Sequence, residues 1–176
     1  LYEQGQIDLC ISNLGSGAST FSHPVPIDEY QRLFDLNFFS AVQLIQEASR
    51  YMKEKTQCIA IASITGHETI KGAPIPYSCA KSSLISFVKL FSHAVAKDGI
   101  RVNCISPGNV MFDGSTWDQK MKTDPKKVST YIQSQVPLNT FIDPMEIGKT
   151  VLYLESCQSI TGETIVVDAG QINTFR

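Results

Sequence analysis

The sequence has no excess of charge of one sign, no long hydrophobic run and no closely spaced cysteines. Fifteen basic residues stand against seventeen acidic ones, and this formal net charge of −2 predicts neither a nucleic-acid partner nor an anionic membrane partner. No apolar stretch approaches the roughly 20 residues that a membrane span needs, and no signal-peptide pattern is recognisable. Since 43% of the 176 residues are hydrophobic, we expect one folded, cytoplasmic domain rather than a disordered chain.

The sequence also lacks the spacings that are typical of metal sites and disulfide frameworks. The five cysteines are spread along the chain as Cys10, Cys58, Cys79, Cys104 and Cys157. The three histidines are His23, His67 and His93. No C-x-x-C, H-x₃-H or H-E-x-x-H spacing occurs, and three of the cysteines lie in apolar runs, where a thiol usually packs as a small hydrophobic group. We therefore expect neither a metal site nor a disulfide.

Four short apolar runs alternate with three helical patterns along the chain. The runs predict strands at residues 7–12, 58–62, 100–105 and 164–168, and the helical patterns cover residues 28–55, 77–99 and 143–155. A turn that contains glycine follows each run. Strands that alternate with helices predict an α/β fold, in which a doubly wound parallel sheet has helices on both faces, in three layers.

Local signals define the ends and faces of these elements. The first run is almost continuously apolar, which predicts a strand buried on both faces. Asp28, with Gln31 three residues later, resembles a capping box at the start of the first helix. Gly99 is the expected C-cap of the second helix, and Asp143, followed by Pro144, is the expected N-cap of the third.

Tyr77 and Lys81 are four residues apart at the start of the second helix, so their side chains lie on one helix face. A phenol has an unperturbed pKa near 10, and a neighbouring ammonium group lowers that pKa toward working pH. The pair therefore suits proton transfer to or from a substrate oxygen. The spacing alone also fits an incidental surface pair.

Other polar residues are expected at the same end of the sheet as Tyr77. Ser63 follows the second predicted strand, Asn13 follows the first, and Pro107-Gly108 follows the third. Ligands of open α/β sheets bind outside the carboxyl ends of the strands, which makes this edge the candidate site. A serine at a strand end is otherwise often an ordinary turn residue.

Taken in order, these residues resemble the short-chain dehydrogenase/reductase family over nearly the whole chain. The motifs are Ser12-Asn13-Leu14-Gly15, Asn37 in a long helix, Ser63-Ile64-Thr65-Gly66, Tyr77-Ser78-Cys79-Ala80-Lys81, Pro107-Gly108 and the tail from Ile160 to Gly170. Six motifs in the family's order are far more specific than any one of them. The resemblance implies a Rossmann-type NAD(P)-binding domain over residues 1–176.

The resemblance implies a catalytic role for four residues. Tyr77 would be the general acid in reduction or the general base in oxidation, and Lys81 would lower its pKa and bind the nicotinamide ribose. Ser63 would hydrogen-bond the substrate carbonyl and support the charge that develops on its oxygen. Asn37 would hold a water that relays protons toward Lys81, although an asparagine inside a helix is tolerated without any such use.

By the same resemblance, further residues would contact the dinucleotide. They are Asn13 and Gly15 on the adenosine side, and Pro107, Gly108 and the backbone of Val110 around the nicotinamide. The protein would position the cofactor, and the cofactor would carry the hydride. The choice between NAD and NADP stays open, because the strand that selects it in the family is absent.

The family implies an oxidoreductase that interconverts a carbonyl and a secondary alcohol on a small molecule, with 3-oxoacyl thioesters as one expected substrate class. It also implies a homodimer or homotetramer, paired through the two long helices. The alternative is a non-catalytic dinucleotide-binding or scaffolding protein, or an inactive fragment.

Several features depart from the family pattern. Leu14 replaces a smaller alanine, Phe112 stands where many members place a threonine that contacts the nicotinamide amide, and one extra residue separates Ser63 from Tyr77. The N-terminal glycine-rich phosphate loop is missing, so the sequence resembles the C-terminal half of the domain. We therefore expect weak dinucleotide binding by the 176-residue chain, and an open edge on its first strand.

Residues 111–137 lie where the family keeps its substrate-covering loop. Trp117, Phe112 and Met121 would line a pocket there for an apolar or sugar-ring substrate, and a surface helix with a few apolar anchors is the open alternative.

Overall fold

A computed structural model describes residues 6–19 and 23–173 of the chain. It contains four parallel strands in the order β1-β2-β3-β4, which are β1 (Leu9–Ser12), β2 (Thr56–Ile61), β3 (Ile100–Pro107) and β4 (Thr164–Val167). The α-helices are α1 (Ile27–Phe34), α2 (Ser40–Ser49), α3 (Ile75–Val95), α4 (Thr116–Thr123), α5 (Pro125–Gln135) and α6 (Pro144–Ser156). No helix in the described ranges has the length and apolar character that crossing a membrane requires.

Helices cover both faces of the sheet, as the alternation of strands and helices predicts. On one face, α2 and α3 bury a core that includes Ile45, Leu84 and Val102. On the other face, α6 packs Leu154 against Ile105 of β3. The three-layer α/β/α arrangement is therefore confirmed, and the central strands β2 and β3 are almost fully buried.

The first strand differs from its prediction in burial. Cys10 and Ser12 point into the core, but Leu9 and Ile11 on the opposite face are exposed, so the prediction of burial on both faces is wrong. Within the described residues β1 pairs with β2 alone, which confirms the expected open edge. The Cys10 face of β1 packs on the core beneath α2 and α3, whereas the Leu9 face is open to solvent.

The first long helical pattern is one continuous helical segment with a turn of π-helix at Asp35–Phe39 between α1 and α2. It begins at Ile27 after Pro26, and no side chain caps it, so the capping box predicted at Asp28 is wrong. Asp28 lies inside the first turn, where its carboxylate accepts a hydrogen bond from the Glu29 N–H. Proline pre-sets the backbone at the helix start, one residue earlier than the sequence indicated.

The predicted helix ends at Gly99 and Asp143 are confirmed, whereas α2 ends at Ser49, before the predicted end at residues 53–55, and α3 begins at Ile75, two residues before the predicted start. After α3 and a short 3₁₀ turn, Gly99 takes the left-handed conformation at φ 73°. The Asp143 side chain accepts a hydrogen bond from the Met145 N–H and caps α6, which begins at Pro144. These local signals act through neighbouring residues, which is why the sequence reveals them.

Candidate functional site

Ser63 and Tyr77 come together at the carboxyl edge of the sheet. Ser63 follows β2 and caps a 3₁₀ turn at Ile64–Gly66, accepting a hydrogen bond from the Thr65 N–H at 3.3 Å. Tyr77 lies in the first turn of α3, and its phenol is close enough to the Ser63 hydroxyl for Ser63 to lower the pKa of the phenol. The two side chains that the sequence analysis assigns to a carbonyl or hydroxyl substrate are therefore neighbours at this edge.

Lys81 lies one turn further along α3 and is only 3% exposed. Its Nζ donates to the Ile61 carbonyl at 2.8 Å and lies 5.8 Å from the centroid of the Tyr77 ring. An ammonium group has three hydrogens to donate. Among the described residues, Nζ has one hydrogen-bond acceptor, the Ile61 carbonyl. Its other two hydrogens are therefore available to a ligand.

Burial shifts the pKa values of both groups. Desolvation raises the pKa of Tyr77, and the hydrogen bond from Ser63 offsets part of this rise because it stabilises the phenolate. Desolvation also lowers the pKa of Lys81 to about 8, since it disfavours the charged ammonium. The lowering of the Tyr77 pKa by Lys81 stays a prediction.

Asn37 joins the site through the loop that follows β1. It is fully buried in the π-helical turn, and its Oδ1 accepts the Ser16 N–H at 3.0 Å while its Nδ2 donates to the Ser16 carbonyl at 3.0 Å. Nδ2 also donates to the Leu33 carbonyl at 3.0 Å. Asn37 thus holds the loop by both backbone groups of one residue, which the sequence analysis did not anticipate.

Gly15 lets this loop lie close to the catalytic candidates. A Cβ on Gly15 would come within 2.8 Å of Asn37 Oδ1 and 3.1 Å of Lys81 Nζ, and a Cβ on Gly17 would lie 3.7 Å from the Tyr77 ring. Asn13 is exposed on the same loop, as is the bulky Leu14. Bulk at position 14 is therefore accommodated by solvent rather than by the site.

The end of β3 forms the neighbouring part of the edge. Pro107 is buried at the last position of β3, and the Gly108 N–H donates to the Val167 carbonyl at 2.8 Å. A Cβ on Gly108 would lie 2.9 Å from the Asp168 Cα, so only glycine fits this crossing. Val110 is half-buried and bridges to Ile142, while Phe112 is exposed.

One link within this edge was missed by the sequence analysis. His67 follows the Ser63 turn, and its Nε2 lies 2.9 Å from the hydroxyl oxygen of Ser106, immediately before Pro107. This contact ties the Ser63 turn to the end of β3. The available signal was a histidine in the turn and a serine at a strand end, but residues 39 positions apart cannot be paired from sequence.

The segment expected to cover the substrate folds as α4 and α5. Trp117 stacks against Tyr131 and Phe141, with ring centroids 5.1 and 5.6 Å apart, and Met121 packs on the same cluster. Trp117 and Met121 are therefore anchors of surface helices, which is the second of the two alternatives left open for this segment. No group of three or more metal-ligating side chains occurs in the described ranges.

Comparisons with known proteins identify the family and the fold. A family model described as "Enoyl-(Acyl carrier protein) reductase" matches residues 2–171. Isoepoxydon dehydrogenase patN of Penicillium expansum is 28% identical over 170 residues, covering 94% of this chain and 64% of that protein. Carbonyl reductase family member 4 of Xenopus laevis is 30% identical over 168 residues, covering 94% of this chain and 67% of that protein.

A third relative, the 3-oxoacyl-[acyl-carrier-protein] reductase FabG of Rickettsia felis, is 30% identical over 173 residues, covering 95% of this chain and 68% of that protein. Among solved structures, L-sorbose reductase from Gluconobacter frateurii, complexed with NADPH and L-sorbose, superimposes with a TM-score of 0.84 at 25% identity. That match covers 98% of this chain and 69% of the other. The chain thus spans about two thirds of the length of the relatives it matches, and it belongs to the short-chain dehydrogenase/reductase family.

Proposed function

We propose that the complete protein is an NAD(P)-dependent oxidoreductase that interconverts a carbonyl and a secondary alcohol. The observation that carries this proposal is the convergence of Ser63, Tyr77 and the buried Lys81 at one edge of the sheet, with Lys81 Nζ 5.8 Å from the Tyr77 ring centroid. We further propose that residues 1–176 belong to a single Rossmann-type domain of that protein. The family membership supports the reaction class, because the relatives are named as dehydrogenases and reductases.

Tyr77 is proposed as the group that exchanges a proton with the substrate oxygen. Because burial raises its pKa, the phenol is protonated near neutral pH and is ready to donate in the reductive direction. Ser63, beside the phenol, is placed to donate to the same substrate oxygen and to support the negative charge that develops on it. Asn37 has the proposed role of keeping the loop after β1 against Lys81.

The residues present fit a dinucleotide at this edge. Lys81 retains donors for a ribose hydroxyl, and Gly15 and Gly108 keep the backbone free of side chains where it approaches the site. We propose that Asn13 and Gly15 contact the adenosine side and that Pro107, Gly108, Val110, Tyr77 and Lys81 contact the nicotinamide side. A bound nicotinamide cofactor would supply or accept the hydride. Two proteins of similar structure are known in complex with NADPH and with NADH, so both cofactors enter the test.

A small-molecule ketone or its alcohol is the proposed substrate. The Rickettsia relative is named for a 3-oxoacyl thioester, which supports that class as the first to assay. Other relatives carry different substrate names, so the assay begins with a panel of ketones.

Fluorescence titration with NADH and NADPH, on the protein extended to its natural start, tests cofactor binding. We expect saturable binding, followed by ketone-dependent oxidation of the tighter cofactor. Tyr77→Phe should abolish turnover and leave cofactor affinity unchanged, because it removes the exchangeable proton and keeps the ring. Tyr153→Phe, an exposed position on α6, is the matched control and should retain full activity.

The alternative is a non-catalytic dinucleotide-binding or scaffolding protein, and Phe112 in place of the family's threonine favours it. Under this alternative Tyr77→Phe changes nothing measurable in any ketone assay. Folded protein that binds neither NADH nor NADPH would contradict the proposed oxidoreductase and leave the scaffold. For the 176-residue chain alone we expect weak dinucleotide binding, since its described residues include no strand–helix turn built as a glycine-rich phosphate loop.

We also propose that the complete protein forms a homodimer or homotetramer through the outer face of α1, α2 and α3. Phe38 packs edge-on against Phe87 at 6.3 Å between ring centroids, and Phe87 stacks on Phe91 at 5.2 Å. Leu90, beside them, is largely exposed. An aromatic surface of this kind is typical of an interface between protein chains.

A further inference from the structure

The segment that follows β4, residues 168–173, folds tightly against the carboxyl edge of the sheet. The Asp168 carboxylate accepts two backbone hydrogen bonds from within this segment, at 3.0 and 2.9 Å. Ala169 takes the left-handed conformation at φ 55°. An alanine rarely adopts this conformation, so contacts with the rest of the fold, rather than local preference, fix the turn. The turn places the Gln171 side chain inside the protein, where the residue is 8% exposed.

Gln171 uses both ends of its side-chain amide. Its Oε1 accepts a hydrogen bond from Asn109 Nδ2 at 2.7 Å, and its Nε2 donates to the Tyr131 hydroxyl at 2.8 Å. Asn109 directly follows Pro107-Gly108 and is 7% exposed, whereas Tyr131 lies on α5. One buried amide therefore joins two parts of the chain that lie 62 and 40 positions before it.

The same segment also contacts the loop that follows Ser63. The Asn173 N–H donates to the Glu68 carboxylate at 2.9 Å. Residues 168–173 thus lie across the candidate site, from the loop after β2 to the turn after β3 and on to α5. Gln171 is the member of this segment that connects the turn after β3 with α5.

The α4–α5 segment leaves and rejoins the sheet edge at one place. It begins after Val110 and ends before Ile142, and these two residues form a backbone bridge. Between them, Trp117 of α4 lies 5.1 Å from Tyr131 of α5, measured between ring centroids, and both rings pack on one apolar cluster. Because the two helices share this cluster, the hydrogen bond from Gln171 to Tyr131 acts on both of them.

We propose that Gln171 is a positioning residue, which holds the α4–α5 segment against the edge where Ser63 and Tyr77 lie. The segment starts directly after the turn that we assign to the nicotinamide side, so its position decides how closely a substrate is enclosed there. The kinetic consequence rests on the proposed oxidoreductase function, whereas the hold on α5 does not.

Gln171→Met keeps the length of the side chain and removes both hydrogen bonds. The state in which α4 and α5 lie against the edge then loses population, by about tenfold for two bonds of ordinary strength. We expect the KM for the ketone to rise about tenfold in the complete protein, with kcat within about twofold of the wild type. Dinucleotide affinity should be unchanged, because the Gly108 N–H keeps its own bond to the Val167 carbonyl.

Tyr131→Phe removes one of the two bonds and keeps the ring that stacks on Trp117. We expect a rise in KM of about threefold. The double variant Gln171→Met/Tyr131→Phe should have the KM of Gln171→Met, because both changes break the same bond. Gln133→Met, at an exposed position on α5, is the matched control and should keep the wild-type KM. Simple loss of folded protein would instead lower kcat and leave KM unchanged.

Hydrogen–deuterium exchange of the complete protein gives a measurement that needs no turnover. In Gln171→Met the amides of α4 and α5 should exchange faster than in the wild type, while those of β2 and all those of Gln133→Met should not change. Wild-type exchange over α4 and α5 in Gln171→Met would overturn the proposal. Faster exchange there with an unchanged KM would also overturn it.

Failure of the proposed function gives a different result. A wild-type protein that turns over no ketone with either cofactor contradicts the oxidoreductase, and the exchange comparison then decides by itself whether Gln171 holds α5. Tyr131→Phe deletes a single hydroxyl group from a half-buried ring, so it keeps the test decisive if Gln171→Met fails to fold. Its α5 amides should also exchange faster than those of the wild type, and wild-type exchange in this variant would overturn the proposal.

Discussion

Lys81 and Tyr77 lie where water is largely excluded, and this exclusion acts on the two groups in opposite directions. It disfavours the ammonium of Lys81 and the phenolate of Tyr77, so the pKa of the lysine falls and the pKa of the tyrosine rises. The neutral phenol of Tyr77 is a proton donor, and the Lys81 ammonium beside it loses its charge near pH 8. The helical spacing places the pair on one face, but burial decides their protonation.

At the residue scale, Lys81 should leave a signature in the pH dependence of stability. Its folded pKa of about 8 lies below the unfolded value, so above pH 8 the unfolded state binds more protons. The free energy of unfolding should therefore rise between pH 8 and about 10.4, with roughly 3 kcal/mol as the upper bound for a lone group. Urea unfolding of Lys81→Met should lack this rise.

Lys89→Met, an exposed change on the same helix, is the control and should follow the wild-type pH profile. If the free energy of unfolding of Lys81→Met rises with pH as much as that of the wild type, other groups cause the rise.

At the element scale, the loop between β1 and α1 is held by a residue of the helix that follows it. The π-helical turn directs the Asn37 side chain toward Ser16, and its amide forms hydrogen bonds with the N–H and the carbonyl of that residue. The same amide also donates to the Leu33 carbonyl. π-turns inside α-helices occur frequently at functional sites. The loop reaches Lys81 this closely because Gly15 carries no side chain.

Gly15→Ala should disturb this element, because the added Cβ meets Asn37 Oδ1 at 2.8 Å and Lys81 Nζ at 3.1 Å. We expect a loss of about 1–3 kcal/mol in the free energy of unfolding, which is typical of overpacking. Gly148→Ala, in the exposed part of α6 with nothing within 4 Å, should instead gain about 0.5–1 kcal/mol. Equal stabilities in urea would show that the loop moves away without loss.

At the scale of the whole molecule, the two helical layers present different outer faces. The α1–α3 layer carries the aromatic cluster of Phe34, Phe38, Phe39, Phe87 and Phe91. The opposite layer, α6, is fastened to the sheet by the buried Arg101, whose guanidinium donates to the Leu154 carbonyl at 2.9 Å. The aromatic face is the one that we propose to pair with a second copy.

Leu90→Asp tests this pairing, because it places a charge beside Phe87 and Phe91 at a side chain that is 73% exposed. We expect the complete protein to change from dimer or tetramer to a smaller species by light scattering, with the thermal midpoint of the isolated subunit nearly unchanged. Leu152→Asp on α6, at 67% exposure, should leave the assembly intact. A monomeric wild-type protein would contradict the proposed interface.

The sequence by itself determined the order of strands and helices, the helix ends at Gly99 and Asp143, and the family, because these depend on residues close together along the chain. Tyr77 and Lys81 share a face for the same local reason. Tertiary structure decided which separated residues meet: the hydrogen bond of Asn37 to Ser16 and the contact of His67 with Ser106. It also exposed one face of β1 and turned Trp117 onto α5. Strand register and helix packing set these contacts, and the hydrophobic periodicity of the sequence determines neither of them.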